Sequence, residues 1–317
     1  MKFCMVYNPK DSKLRPQAYC SVFKDMFFAL IERFNCKCFV TGNCHADQID
    51  ADVIFYFDPH ASHHVEIEGI EKHPAIKMEF WNDIHQKEFR GVYTTTGVNV
   101  HKLGQEQRAK RSEKRDVKYI VSTVKYFFYE QFSKYFGDNT EKMLLYFPQA
   151  PTGPGKPKPL IERKQTILGN GATHGGWGGG YDFRAWAFEQ QGIEVVKHWI
   201  FDKNTPSGQG YLDFLSGYAG ALALCTPCPV PKYYEMPMAG CVTFAEYHKE
   251  YEELGFNDGH NYIAVNKDNF TDRINDFLSD IKSYQSLADA GQKLMEENYT
   301  AEHFADFVFN KLNEEVI

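Results

Sequence analysis

The chain has no apolar run approaching the roughly 20 residues that a membrane helix requires, so no membrane span is expected. Its opening, Met1-Lys-Phe-Cys-Met-Val-Tyr7, is too short and too quickly polar for a signal peptide, which sets the expectation of a cytoplasmic protein. Excess positive charge is lacking too. The formal net charge is −7 and the pI is near 6.0, so any contact with nucleic acid must come from a local patch. Cysteine is sparse for a disulfide scaffold, at eight in 317 residues, and several fall in strand-like segments where a thiol serves as a small apolar side chain. Cys36-Lys-Cys38 with Cys44-His45, and Cys225-Thr-Pro-Cys228, have no matching second ligand pair, so no metal and no cofactor are expected. No Gly-x-Gly-x-x-Gly follows the first strand, which argues against a dinucleotide oxidoreductase. Repeats and low-complexity tracts are absent.

What is present is an ordinary globular composition, 43% hydrophobic, in a chain long enough for two domains of about 150 residues. Strand-like and helix-like segments alternate, which predicts α/β architecture with parallel sheets. Strands are expected at Lys2–Tyr7, Lys37–Thr41, Ala51–Phe57, Ala75–Trp81, Tyr119–Ser122 and Met143–Phe147. A helix over Gln17–Phe34 places Val22, Phe23, Met26, Phe27, Leu30 and Phe34 on one face. The proline-rich stretch Pro148 to Pro159 breaks the pattern, because proline cannot donate to a strand ladder. It divides a first Rossmann-like domain (1–150) from a linker (151–164) and a second Rossmann-like domain (165–300), with a C-terminal helix (301–317) returning toward the first. Strands of the second domain are expected at Gln165–Gly169, Glu194–Ile200, Ala221–Cys225, Cys241–Phe244 and Tyr262–Val265, and the active site in a cleft between the domains.

The segments that carry chemistry lie mainly in the second domain. Gly169-Asn-Gly-Ala-Thr-His-Gly-Gly-Trp-Gly-Gly-Gly180 follows a predicted strand, where glycine lets backbone N–H groups approach phosphate; a plain surface loop is the alternative. Tyr181-Asp-Phe-Arg184 then enters a helix. Further on, Pro231-Lys-Tyr-Tyr-Glu-Met-Pro-Met-Ala-Gly240 starts a helix with a cation, Lys232, and a carboxylate one turn later, Glu235. A helix start and a lysine suit a diphosphate, and a carboxylate suits a ribose diol. An amphipathic helix with solvated Lys and Glu is the alternative.

With the downstream Gly259-His-Asn-Tyr262 turn, these residues resemble the C-terminal domain of GT-B glycosyltransferases, particularly the spore-maturation-type group, over roughly residues 165–310. The resemblance implies two Rossmann-like domains facing a cleft and glycosyl transfer from a nucleotide-activated sugar, a co-substrate, to an acceptor hydroxyl. It implies a donor site of Gly169, Gly171, His174, Arg184, Lys232, Tyr233 and Glu235, with Lys232 and Arg184 on the diphosphate and Glu235 on the ribose. The group's paired glutamates are spaced by seven residues, and Pro227 stands where the first would be, so the retaining label is not carried over.

On the acceptor side, Glu79-Phe-Trp-Asn-Asp-Ile-His85 ends a predicted strand, so Asp83 or His85 is a candidate base for the acceptor hydroxyl, against helix capping or a packed imidazole. Asp58-Pro-His60 follows another strand and competes for that role. His101 to Lys118 is the one concentrated basic run. It reads as a solvated helix or, through Arg108 and Arg111, as a phosphate-tracking surface for an anionic acceptor. Acceptors consistent with these features are a glycan, a lipid or hydroxymethylated DNA. A non-catalytic nucleotide-sugar or glycan-binding protein is the reading from another class.

Overall fold

The structure is a computed structural model that describes residues 1–9, 22–57, 65–82, 84, 90–93, 99–102, 104–151, 153, 155–156, 158–173, 180–196, 206 and 208–316. Two compact units divide the chain. The first runs to Pro148, apart from 17–22, and takes in Glu302–Ile317; the second runs from Gln149 to Ala301.

The first unit contains, in chain order, β1 (Phe3–Tyr7), α1 (Val22–Arg33), β2 (Cys38–Val40), β3 (Cys44–His45), β4 (Val53–Phe57), β5 (Ile67–Glu68), β6 (Ile76–Trp81), β7 (Arg90–Tyr93), β8 (Asn99–Lys102), α2 (Gln105–Lys114), β9 (Tyr119–Ser122), α3 (Tyr126–Phe136), α4 (Thr140–Met143) and β10 (Leu144–Tyr146). Six strands form one sheet in the order β10-β9-β6-β4-β1-β2, and every pairing is parallel. A sheet covered on both faces needs unbroken apolar strands, and Val53-Ile-Phe-Tyr-Phe57 is buried at every residue. Helix α1 stacks Phe34 on Phe3 with centroids 4.1 Å apart and sets Phe27 against Phe57 at 5.2 Å. Burying each such side chain contributes about 1.5–3 kcal/mol. The C-terminal helix, Ala301–Val316, belongs to this core: Phe304 meets Phe80 and Phe147, Phe309 meets Phe34, and Arg33 pairs with Asp306 at 2.5 Å.

The second unit contains β11 (Lys164–Asn170), α5 (Asp182–Ala187), β12 (Ile193–Val196), α6 (Gln209–Leu215), β13 (Tyr218–Ala223), α7 (Lys232–Met238), β14 (Val242–Ala245), α8 (Lys249–Glu253), β15 (Ile263–Ala264), α9 (Phe270–Ser279) and α10 (Gln285–Asn298). Its sheet, β12-β11-β13-β14-β15, is also parallel throughout. The strand order therefore reverses between β11 and β13. Open α/β sheets bind ligands in the crevice that opens at such a reversal, beyond the carboxyl ends of the strands. The tail of the proline-rich segment is part of this unit: Leu160 is fully buried, and Arg163 donates to the carbonyls of Lys158, Tyr218 and Ala239.

Helix α7 is short and buried along its whole length despite containing Pro237. A proline there cannot donate to the carbonyl one turn earlier, that of Tyr233. The Tyr251 hydroxyl donates to that carbonyl instead, at 2.9 Å, and the Tyr251 ring stacks on Phe256 with centroids 3.8 Å apart.

The basic run is solvated on one face only, where Lys110 and Lys114 are exposed, and its arginines do not track solvent. Gln105, Arg108, Ala109 and Ser112 of α2 are buried, and Arg108 donates to the carbonyl of Asn82 at 2.8 Å. The cause is Glu79, a buried carboxylate on β6. Arg115 pairs with it at 2.8 Å, Arg111 lies 3.8 Å away, and Ser112 and the Trp81 indole each donate to it. A lone carboxylate in this setting would be too costly to bury, so the guanidiniums turn inward and bind α2 to the sheet. Burial alone would raise the Glu79 pKa, but Arg111 and Arg115 hold it down at about 2. Because the folded value lies below the ordinary one of 4.5, this stabilisation is complete above about pH 4.5 and is lost as pH falls toward 2. Glu79→Gln should destabilise the protein by about 3–5 kcal/mol in chemical denaturation at neutral pH, and its stability should fall less steeply than that of the wild type between pH 4.5 and 2.

Candidate functional site

The carboxyl ends of β11 and β13 flank the reversal point of the second sheet; Arg184 bridges them, and Lys232 bonds to the end of β11. Arg184, on α5, sends Nη1 to the carbonyl of Ala172 beyond β11, at 3.0 Å. Its Nε donates to the carbonyl of Leu224 beyond β13 at 2.8 Å, and Nη2 donates to the same oxygen. The guanidinium also lies over the Tyr181 ring, 4.1 Å from its centroid. Lys232, the first residue of α7, donates to the Asn170 side-chain oxygen and to the Tyr211 hydroxyl, each at 2.8 Å. Both cations are buried. The oxygens that hold them in these bonds are neutral, and no carboxylate lies within ion-pair distance of Arg184 among the described residues.

Gly171 joins the two. Its φ of +118° lies where only glycine is at ease, and a Cβ built there would stand 3.1 Å from Lys232 Cε and 3.3 Å from Arg184 Nη1. The missing side chain leaves room for the cations to converge on one stretch of backbone. Gly169 acts differently. It sits in β11, where a Cβ would meet Phe188 and Ile193 at 3.0 Å, so its role is close packing of helix and strand.

Glu235 and Tyr233 complete the predicted donor residues among those described. Glu235 is buried on α7, and its carboxylate makes no hydrogen bond to any described residue. Burial raises its pKa to about 7, against the opposing pull of the Lys232 charge. Tyr233 turns inward, and its hydroxyl accepts from the backbone N–H of Cys225 at 3.3 Å. Thus Gly171, Arg184, Lys232 and Glu235 gather at the strand ends, whereas Tyr233 and Gly169 shape the wall behind them.

A second polar group lies on the other side of β13, and the sequence reading did not single it out. Thr226 Oγ1 donates to Glu246 Oε1 at 3.0 Å, which ties the loop after β13 to the end of β14. His248 Nε2 contacts the carbonyl of Cys225 at 2.9 Å, and burial lowers its pKa to about 4, so the ring is neutral and Nε2 is the donor. The signal was a polar cluster, Glu246-Tyr-His248, directly after an apolar strand.

The remaining expected residues fall elsewhere. Asp58, His60, Asp83, His85 and His174 lie outside the described residues. Arg108 and Arg111 lie on α2 of the first unit, Arg108 on the Asn82 carbonyl and Arg111 beside Glu79. The described cysteines are free thiols, and no described helix is long and apolar enough to cross a membrane.

No protein-family model matches the chain, and no curated protein matches it in sequence. Solved structures do match in fold. Anabaena Alr3699/HepE, crystallised with UDP, gives a TM-score of 0.58 at 9% identity, over 99% of this chain and 100% of that one. A glycosyltransferase from Rickettsia africae gives 0.58 at 8% identity, over 99% and 98%. The pneumococcal O-GlcNAc transferase GtfA, with UDP and GlcNAc, gives 0.47 at 12% identity, and this chain spans only 56% of its length. The likeness is one of fold: an α/β chain with two Rossmann-like, parallel-sheet units, as in GT-B glycosyltransferases.

Two outcomes follow from the geometry. Gly171→Ala should destabilise the protein by about 1–2 kcal/mol in chemical denaturation, because the added methyl enters the gap between Lys232 and Arg184 at a φ that strains an L side chain. Glu235 has a folded pKa raised above its ordinary 4.5, so it binds its proton more tightly when folded. Its contribution is complete below about pH 4.5 and is lost as pH rises to about 7. Thermal melts of the ligand-free protein should show that decline, and Glu235→Gln should flatten it.

Proposed function

We propose that this chain is a glycosyltransferase of the spore-maturation-type group, moving a sugar from a nucleoside diphosphate to an acceptor hydroxyl. The observation that carries the reading is the convergence of Lys232 and Arg184 on Gly171 at the strand-order reversal. Two buried cations held largely by neutral oxygens leave a positive potential that a diphosphate would neutralise. The solved neighbours add support, since Alr3699/HepE was crystallised with UDP-glucose.

In the reaction the bond from the anomeric carbon to the distal phosphate oxygen breaks, and a bond from that carbon to the acceptor oxygen forms. Negative charge grows on the departing diphosphate, and Lys232 and Arg184 stabilise it where it develops. Glu235 holds the ribose hydroxyls, becoming ionised as it accepts them. The acceptor proton passes to Asp83 or His85. Because the two cations neutralise the leaving group, the reaction needs no bound metal and should persist in a chelator. A cytoplasmic setting fits the free thiols. The inward placement of Arg108 and Arg111 leaves no observation that favours DNA over a glycan or lipid acceptor.

The test is release of nucleoside diphosphate from a panel of nucleotide sugars with glycan, lipid and hydroxymethylated DNA acceptors. Multiple turnovers with one acceptor class, insensitive to EDTA, are expected; binding without turnover on any acceptor would identify a non-catalytic binding protein. Lys232→Ala should weaken nucleoside diphosphate by about 10- to 100-fold while leaving the unphosphorylated nucleoside nearly unchanged. Equal losses for the two ligands would contradict a phosphate contact.

A further inference from the structure

Four described cysteines, Cys4, Cys36, Cys38 and Cys44, gather near one edge of the first unit's sheet, and two of them face each other. Cys4 of β1 and Cys38 of β2 are registered partners on adjacent parallel strands, and both pack into the same apolar cluster. The Cys38 thiol donates to Cys4 Sγ at 2.6 Å, about half an ångström longer than a disulfide bond. Neighbouring strands lie about 4.7–4.9 Å apart, inside the Cα separation of about 4.4–6.8 Å that a disulfide spans. A covalent bond between the two sulfurs therefore needs a small side-chain rotation and no change in the pairing of the strands.

The other two thiols are placed differently. Cys36 directs its thiol at the carbonyls of Phe3 and Cys38, each at 3.2 Å, and Cys44 lies on β3, outside the six-stranded sheet. Among the described residues no third side chain completes a metal site around the pair, which leaves sulfur redox chemistry. Access sets the order of events. Cys4 is fully buried, and burial pushes its thiol up, so it is a poor first nucleophile. Cys38 is half-buried and, with Cys44, lines an open recess of about 310 Å³ through which a reagent can arrive.

We propose that Cys4 and Cys38 form a redox modification site, closed into a disulfide by a low-molecular-weight disulfide such as oxidised glutathione. Cys38, on losing its proton to solvent, attacks one sulfur of the reagent, breaking its S–S bond and releasing one glutathione thiolate, which is reprotonated. Cys4 then gives up its proton and attacks Cys38 Sγ, expelling the second glutathione. The two cysteines lose two electrons together, and one reagent disulfide becomes two thiols. The new bond fastens the three-residue edge strand β2 to β1. In reducing compartments the disulfides that do occur are usually transient or redox-sensing. The pair lies in the other unit from Lys232 and Arg184, so it stands whether or not a nucleotide binds there.

Incubation of the folded, full-length protein with oxidised glutathione, then alkylation of the remaining thiols and peptide mass mapping without reductant, tests the site. A Cys4–Cys38 linked peptide pair is expected, with Cys36 alkylated. Cys4→Ala should stop at the intermediate, with glutathione on Cys38, and Cys38→Ala should leave Cys4 a free thiol. In the linked protein the amides of Phe39 and Val40 should exchange hydrogen about tenfold more slowly or better, because β2 no longer frays from β1. Wild-type protein that keeps both thiols, holds glutathione on Cys38 beside an unreacted Cys4, or links Cys38 to another cysteine would overturn the proposal, and this map decides even where a variant fails to fold. Unchanged exchange of Phe39 and Val40 in the linked protein would overturn the fastening of β2.

Discussion

The Arg184 guanidinium is the constraint on which the second unit's site depends. It bonds to backbone carbonyls from two different strand ends, Ala172 after β11 and Leu224 after β13, so it closes the crevice where the strand order reverses. The bonds fix the guanidinium without cancelling its charge, because carbonyls contribute dipoles rather than a counter-ion. Lys232 is treated the same way by Asn170 and Tyr211. Fixed cations of this kind need no rearrangement when an anion arrives, which is the condition for stabilising charge that grows during a reaction.

Three glutamates, two of them buried and Glu246 half-buried, show how local charge decides what one residue type does. Glu79 has Arg115 and Arg111 beside it and a pKa near 2, so it is permanently ionised and acts as an anchor for α2. Glu235 has one cation at a greater remove and a pKa near 7, so its charge state is free to respond to a ligand. Burial also raises Glu246, which has a threonine hydroxyl and the Arg184 field to offset it. The first glutamate is satisfied within the fold by charge, and Glu246 by the Thr226 hydroxyl and the Cys225 backbone, whereas Glu235 has no hydrogen bond to any described residue.

The sheets were readable from sequence because parallel strands covered on both faces must be continuously apolar, and runs such as Val53–Phe57 and Tyr218–Ala223 are. The placing of Gly171, Arg184 and Lys232 beside one another was readable because a glycine loop and a helix start each follow a strand of one parallel sheet. The paired two-residue strands β3 and β5 were missed, being too short for any periodic signal. The basic run was misjudged because its composition says nothing of the one carboxylate it surrounds: Glu79 lies 36 positions before Arg115 in the chain, and only the parallel register of β6 and β9 brings α2 over it. Glu246 was not singled out, because a carboxylate just after an apolar strand has no sequence signature of its own. Gly169 was assigned to phosphate, whereas its small size serves the packing of Phe188.

The most direct measurement is a crystal structure of the protein with a bound nucleoside diphosphate. The account predicts phosphate oxygens within about 3 Å of Lys232 Nζ and Arg184, over the backbone of Gly171, with the ribose on the Glu235 side. A nucleotide bound elsewhere in the molecule, with Lys232 still engaged by Asn170 and Tyr211, would contradict it.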